Sequence, residues 1–164
     1  MKHVKIGAYQ VGLVFKKDSY KRMLKEGNYW LWNEYAVVCD TTKQFHSPVE
    51  LNILLQDNML LNALHVVDVK DNEIVLQYEN GLLKQVLTAG RYSFWKGIVQ
   101  YDFIYADISK AEITEQIGRA TLQHKLLAPF VRSFSVENYE KALLFVDGRY
   151  VQQLNSGGVL LVEE

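Results

Sequence analysis

The chain carries one thiol, Cys39, and four imidazoles, His3, His46, His65 and His124. Cys39 with His46 as its base is the one pairing that would make a nucleophile, for a hydrolase or related acyl transfer. A thiol attacks as thiolate, so it needs an environment that lowers its pKa. Cys39 instead closes an apolar run, "YAVVCD", and nothing around it marks a depressed pKa. A buried, inert thiol is the preferred reading. The histidines are isolated from one another and from Cys39, without CxxC, HExxH or HxH spacing, so no zinc site is expected. Asp102 with Asp107, and Glu112 with Glu115, would suit acid–base work, but solvated faces account for them. No GxGxxG, GxxxxGK[ST] or GxSxG is present, so neither a phosphate cradle nor a nucleophile elbow is encoded. The expectation is a protein without catalytic residues, metal or cofactor.

The composition is that of a globular domain. At 164 residues, 49% hydrophobic and 23% charged, the chain reads as globular, and large enough to fold without disulfide or metal. A formal net charge of −1 gives no overall attraction to nucleic acid. The single cysteine fits a reducing compartment. The opening "MKHVKIGAYQVGLVF" has no continuous apolar segment of the signal-peptide kind. No apolar run approaches the ~18 residues that would span a bilayer. The expected location is cytoplasmic, or peripheral to the inner membrane.

What must position any site is a repeat. "LKEGNYWLW" at 24–32 and "LTAGRYSFW" at 87–95 share Leu, Gly, Tyr and Trp at the same places and contain all three tryptophans. Setting Gly27 over Gly90 (90 − 27 = 63) also superposes Val11, Leu13 and Phe15 on Ile74, Leu76 and Tyr78. Setting Gly90 over Gly157 (157 − 90 = 67) adds a third copy, with Leu143 and Phe145 on Leu76 and Tyr78. Each copy alternates with the period of half-buried strands: "VGLVF", "IVLQY" and "ALLFV" outward, "YKRML", "LKQVL" and "YVQQL" back. Asn80-Gly81 and Asp147-Gly148 suit the type I′ turn, whose central residues need positive φ, and Lys17-Asp18 suits it less well.

Three β-hairpins follow from this pattern. The glycine after each supplies a special backbone angle where the chain turns into a third strand, and "YAVVCD" and "YDFIYAD" supply a fourth. The linkers "QDNMLLNAL" and 111–127 have helical spacing, with Ile113, Ile117, Ala120 and His124 on one stripe of the second. "SPVE" at 47–50 has capping-box form, while "ELNILL" reads equally as helix or strand. The fold class is α+β, mainly β: tandem repeats of a hairpin plus two further strands, joined by short helical linkers. The units expected are 1–64, 65–130 and an incomplete third at 131–164. Leu13, Phe15, Leu24, Leu76, Tyr78, Leu87, Leu143, Phe145 and Leu154 are the expected core. The apolar ending "GGVLLV" is expected to fold back or to pair with a second molecule, giving self-association.

The aromatic phrases allow two roles. Alternation sends one pair of each phrase inward and the other outward. The preferred reading is a plug closing each unit; the other is a partner-binding patch of Tyr29, Trp30, Trp32, Tyr92, Phe94 and Trp95, since Trp and Tyr are enriched at binding hot spots. Residues 1–25 are basic. Lys16, Lys17, Lys21 and Arg22 would give weak contact with an anionic membrane surface, at about 1 kcal/mol each. The preferred reading is lysine-decorated strands that resist edge pairing.

"VGLVF" followed by "YKRMLKEGNYWL" resembles the opening of the band 7 (SPFH) domain of stomatins, slipins and prohibitins. "VENYEKALLFVDGRYVQQL" at 136–154 resembles it more closely still. The chain looks like the region of bacterial slipin-like proteins in which this opening is repeated ahead of the main domain. The family's membrane-inserting hairpin and long assembly helix have no counterpart here. The resemblance implies a non-enzymatic scaffold or protein-interaction module whose partners are a membrane protein, a membrane protease or a second copy. A soluble cytosolic adaptor or small-ligand binder is the alternative, and a Cys39/His46 hydrolase ranks below it.

Overall fold

The three hairpins rest on the same local geometry. The computed structural model describes residues 1–110, 117–133, 136–155 and 159–161. Strands β1 (Lys2–Ile6), β2 (Gln10–Lys16), β3 (Ser19–Leu24), β4 (Gly27–Leu31), β5 (Tyr35–Asp40) and β6 (Gln44–Phe45) are followed by helices α1 (Leu51–Leu54) and α2 (Asn58–Ala63). Strands β7 (Leu64–Val69), β8 (Glu73–Glu79), β9 (Leu82–Leu87), β10 (Gly90–Trp95) and β11 (Tyr101–Asp107) come next. Helix α3 (Arg119–Leu122), a 3-10 turn at Lys125–Leu127, and strands β12 (Val131–Ser133), β13 (Ala142–Val146), β14 (Arg149–Leu154) and β15 (Val159–Leu161) complete the order. The fold is α+β and mainly β.

Asn80 and Gly81 have φ of 50° and 82°, Asp147 and Gly148 of 50° and 74°, as a type I′ turn demands. Lys17 and Asp18 adopt the same conformation, at 46° and 61°. The twist of paired strands favours this turn strongly enough to carry a lysine into the left-handed region. The first and third hairpins also share a bulge. Val14 faces Arg22 and Phe15 faces Tyr20, leaving Lys21 extra; Leu144 faces Gln152 and Phe145 faces Tyr150, leaving Val151 extra. The two bulges are separated by the repeat offset (151 − 21 = 130 = 63 + 67).

Strand order repeats too: β3-β2-β5 in the first copy, β9-β8-β11 in the second. The extended approach to each hairpin is itself a strand. β1 pairs with β4, β7 with β10 and β12 with β15, so the full repeat contains five strands rather than four. Gly27 and Gly90 take φ of 152° and 150° where the chain turns into β4 and β10.

These repeats fold into two compact units. The first comprises Met1–Asp68, Glu79–Gly81 and Arg91–Tyr101; the second comprises Val69–Tyr78, Leu82–Gly90 and Asp102–Glu164. In the first, β2 is buried on both faces. Leu13 and Phe15 pack with Met23, Phe45, Leu54, Leu60, Leu64 and Trp95, while Val14 packs with Ile6, Leu24 and Leu31. Gly12 allows this approach, because a Cβ there would stand 2.8 Å from Ile6 Cδ1. In the second unit, Ile74, Leu76, Ala106 and Leu127 form one core, and Leu144 with Leu154 a smaller one.

Two sequence expectations need correction. Leu143 and Phe145 are 59% and 56% exposed, although their counterparts Leu13 and Phe15 are sealed by the α1–α2 linker. The capping box does not form: the Ser47 hydroxyl donates to the Val49 carbonyl, and Glu50 occupies the N-cap of α1 without a side-chain bond. "ELNILL" contributes α1, a single turn that holds only because Leu54 is buried. The second linker shows α3 and the 3-10 turn, which His124 caps by accepting from Leu126 N at 3.1 Å. Ile113, Glu112, Glu115, Gly157 and all side chains of the "GGVLLV" ending lie outside the described residues.

Candidate interaction site

Strand β4 alternates sharply between core and solvent. Leu31 is buried against Ile6, Val14 and Leu24, and half-buried Tyr29 packs beside it. The Tyr29 hydroxyl donates to the Lys25 carbonyl at 3.0 Å, holding the ring along the turn. Their neighbours point the other way. Trp30 is 65% exposed and Trp32 73% exposed. Antiparallel pairing places His3 of β1 opposite Trp30, with ring centroids 4.8 Å apart and planes tilted by 57°. His3 and Trp30 therefore make one outward aromatic pair, and Trp32, just past the end of β4, is exposed beside them in the chain. His3 escaped the sequence reading because the β1–β4 register is a long-range pairing. The alternation of "KHVKI", which sets His3 and Lys5 against Val4 and Ile6, was the available signal.

The second phrase has the opposite fate. Phe94 and Trp95 are fully buried, Ser93 is buried, and Tyr92 is half-buried. Strand β10 lies between β6 and β7, so both its edges are paired. Ser93 Oγ donates to the Phe45 carbonyl at 3.2 Å, and Trp95 packs on Phe45 at 4.8 Å between ring centroids. The Trp95 indole N–H is buried without an acceptor among the described residues. Phe94 and Trp95 present no surface to a partner. The phrase recurs because the strand recurs, but its surroundings do not.

The basic hairpin is partly neutralised. Arg22 donates to both carboxylate oxygens of Glu34, at 3.0 and 2.9 Å. These hydrogen bonds, with Lys16 and Lys21 nearby, hold the Glu34 carboxyl below the usual carboxylate range. Lys16, Lys17 and Lys21 remain exposed. An open cleft of about 420 Å³ beside them is lined by Met1, Lys2, Lys17, Asn33, Glu34 and Tyr35.

Cys39 is half-buried and packs at the margin of the first unit's core, while His46 is exposed. Burial pushes the Cys39 thiol up to about 11, the opposite of what a nucleophile needs. Because the folded value lies above that of a free thiol, the neutral thiol's contribution to stability is present below about pH 9 and is lost as pH rises toward 11. Alkylation of the folded protein by iodoacetamide is expected to be slow at pH 8 and to accelerate with a midpoint near 11. A midpoint at or below the ~8.5 of a free thiol would return Cys39 to candidacy as a nucleophile.

Asp107 and Asp40 serve turns, and Asp102 lies exposed within β11. Asp107 Oδ1 accepts from Ser109 N at 2.9 Å and Ser109 Oγ at 2.6 Å, and Asp40 Oδ1 does the same with Thr42. Among the described residues, no group of three His, Cys, Asp or Glu side chains is placed to hold a metal, and no helix is long and apolar enough to cross a membrane.

Comparison with known proteins returned no matching family model, no matching curated protein and no matching solved structure. The likeness to band 7 openings rests on the hairpin residues of the sequence alone.

Proposed function

We propose that this chain is a non-catalytic protein-interaction module of the scaffold kind found in slipin-like band 7 proteins. It engages a protein partner through the His3–Trp30–Trp32 face. The observation that carries this reading is the exposure of Trp30 and Trp32 on either side of sealed Leu31. Two indoles left in water cost hydration free energy that an interface recovers, and buried tryptophans each contribute upwards of about 2 kcal/mol at binding hot spots. The partner is a membrane protein, a membrane protease or a second copy, met at the cytoplasmic side. Lys16, Lys17 and Lys21 add a weak, salt-sensitive attraction to an anionic bilayer, diminished by the pairing of Arg22 with Glu34.

The test compares wild-type protein with a Trp30→Ser/Trp32→Ser variant. Both are immobilised and exposed to extract from the source cells, and both are sedimented over a concentration series. Both side chains are exposed, so the variant keeps its circular dichroism and the signal of Trp95. Partners, or oligomers, retained by wild type and lost by the variant are expected. The same partners and the same oligomer distribution in both would remove this face as the contact surface.

A further inference from the structure

The third hairpin reproduces the first down to its aromatic pair. Phe15 and Tyr20 meet edge-on with centroids 5.7 Å apart and planes at 65°; Phe145 and Tyr150 meet edge-on at 5.8 Å and 70°. Turn conformation and bulge position agree as well. What differs is the cover. Leu13 and Phe15 are sealed by a core that includes Leu54 of α1 and Leu60 of α2. The Tyr20 hydroxyl donates to Asp57 Oδ2 at 2.6 Å, and Asp57 Oδ1 in turn accepts from Met59 N at 2.9 Å, capping α2. One aspartate thus ties the helix start to the hairpin's phenol. On the third hairpin the same apolar face stands open, with Leu143, Phe145 and Tyr150 each more than half exposed. Among the described residues, no carboxylate accepts from the Tyr150 hydroxyl.

We infer that this open face is a docking surface for a short amphipathic helical segment with an aspartate at its N-cap, presented by a partner polypeptide. Two features of the seated segment in the first unit define the chemistry. Leu54 of α1 and Leu60 of α2, on either side of the Asp57 cap, pack over the leucine and phenylalanine of the outgoing strand. A carboxylate at the helix start accepts from the tyrosine of the returning strand. A buried phenol donor left without an acceptor would penalise a purely apolar occupant, so Tyr150 selects for the acidic cap. This surface belongs to the second unit and shares no residue with the His3–Trp30–Trp32 face, and its test does not depend on that face.

The probe is a labelled peptide of residues 47–66, which carries α1, Asp57 and α2, titrated against the full chain by fluorescence anisotropy. Saturable binding is expected, weakened about tenfold or more by Phe145→Ser in the protein, as for loss of a central hydrophobic contact. Asp57→Asn in the peptide should weaken binding to wild type but not to a Tyr150→Phe protein, which has no donor to lose. Trp30→Ser/Trp32→Ser protein should bind the peptide as wild type does. Phe145 is exposed, so Phe145→Ser leaves the fold intact. Absence of binding, or binding indifferent to Phe145→Ser, would overturn the inference. Concentration-dependent dimerisation abolished by Phe145→Ser but not competed by the peptide would also overturn it, assigning the face to a second copy.

Discussion

Trp95→Ala is expected to destabilise the protein by about 3–5 kcal/mol, the range for emptying a buried aromatic site. Trp32→Ala, at the same place in the same nine-residue phrase, is expected to change stability by no more than about 0.5 kcal/mol. Trp95 is 1% exposed and shares its core with Phe45, Leu54, Leu60 and Leu64, so its loss leaves a cavity that two helices and three strands must collapse around. The buried indole N–H without an acceptor offsets part of that cost, because alanine removes an unsatisfied donor along with the ring. Trp32 is 73% exposed and leaves no cavity. Urea unfolding followed by far-ultraviolet circular dichroism measures both. In the folded wild-type protein acrylamide should quench Trp30 and Trp32 freely and leave Trp95 as a protected component. Equal destabilisation by the two substitutions would show that the phrases occupy equivalent environments after all.

The second large effect is expected in the other compact unit. Leu76→Ala should cost about 2–5 kcal/mol, whereas Leu143→Ala, its counterpart in the third copy, should be close to neutral. Leu76 is fully buried with Ile74, Ala106 and Leu127, and Tyr78, Leu83 and Ile104 pack around them. Leu143 is more than half in solvent, so alanine removes little that folding had withdrawn from water. Urea midpoints of the two variants decide the matter. A loss at Leu143 comparable to that at Leu76 would mean that its face is already covered, and the proposed docking surface would fall with it.

These paired contrasts show where sequence reading stops. Turn chemistry is local, and it survived intact; alternation is local too, but consecutive residues at 12–15, 74–77 and 93–95 are all buried, so both faces of those strands are covered. Asn80-Gly81 and Asp147-Gly148 form the turns their residues suit, and the three hairpins occupy the expected positions. Capping is nearly as local, yet it failed at Ser47, because the chain there is placed by the burial of Leu54 and Leu60 rather than by its own hydrogen bonds. The pairing of Tyr20 with Asp57, 37 residues apart, had no sequence signal at all.

By itself, then, the sequence determined that the chain is a mainly β protein of repeated hairpins, where each turn falls, and which residues share a strand face. Those properties depend on dihedral preferences and on a period of two, both of which neighbouring residues carry. The tertiary structure alone decided which copies of a face are sealed. Burial depends on what arrives from elsewhere: α1, α2 and β6 cover the first hairpin and the second aromatic phrase, while Trp30, Trp32, Leu143 and Phe145 remain open to water. The surfaces available for binding are thus set by an uneven covering laid over an even repeat.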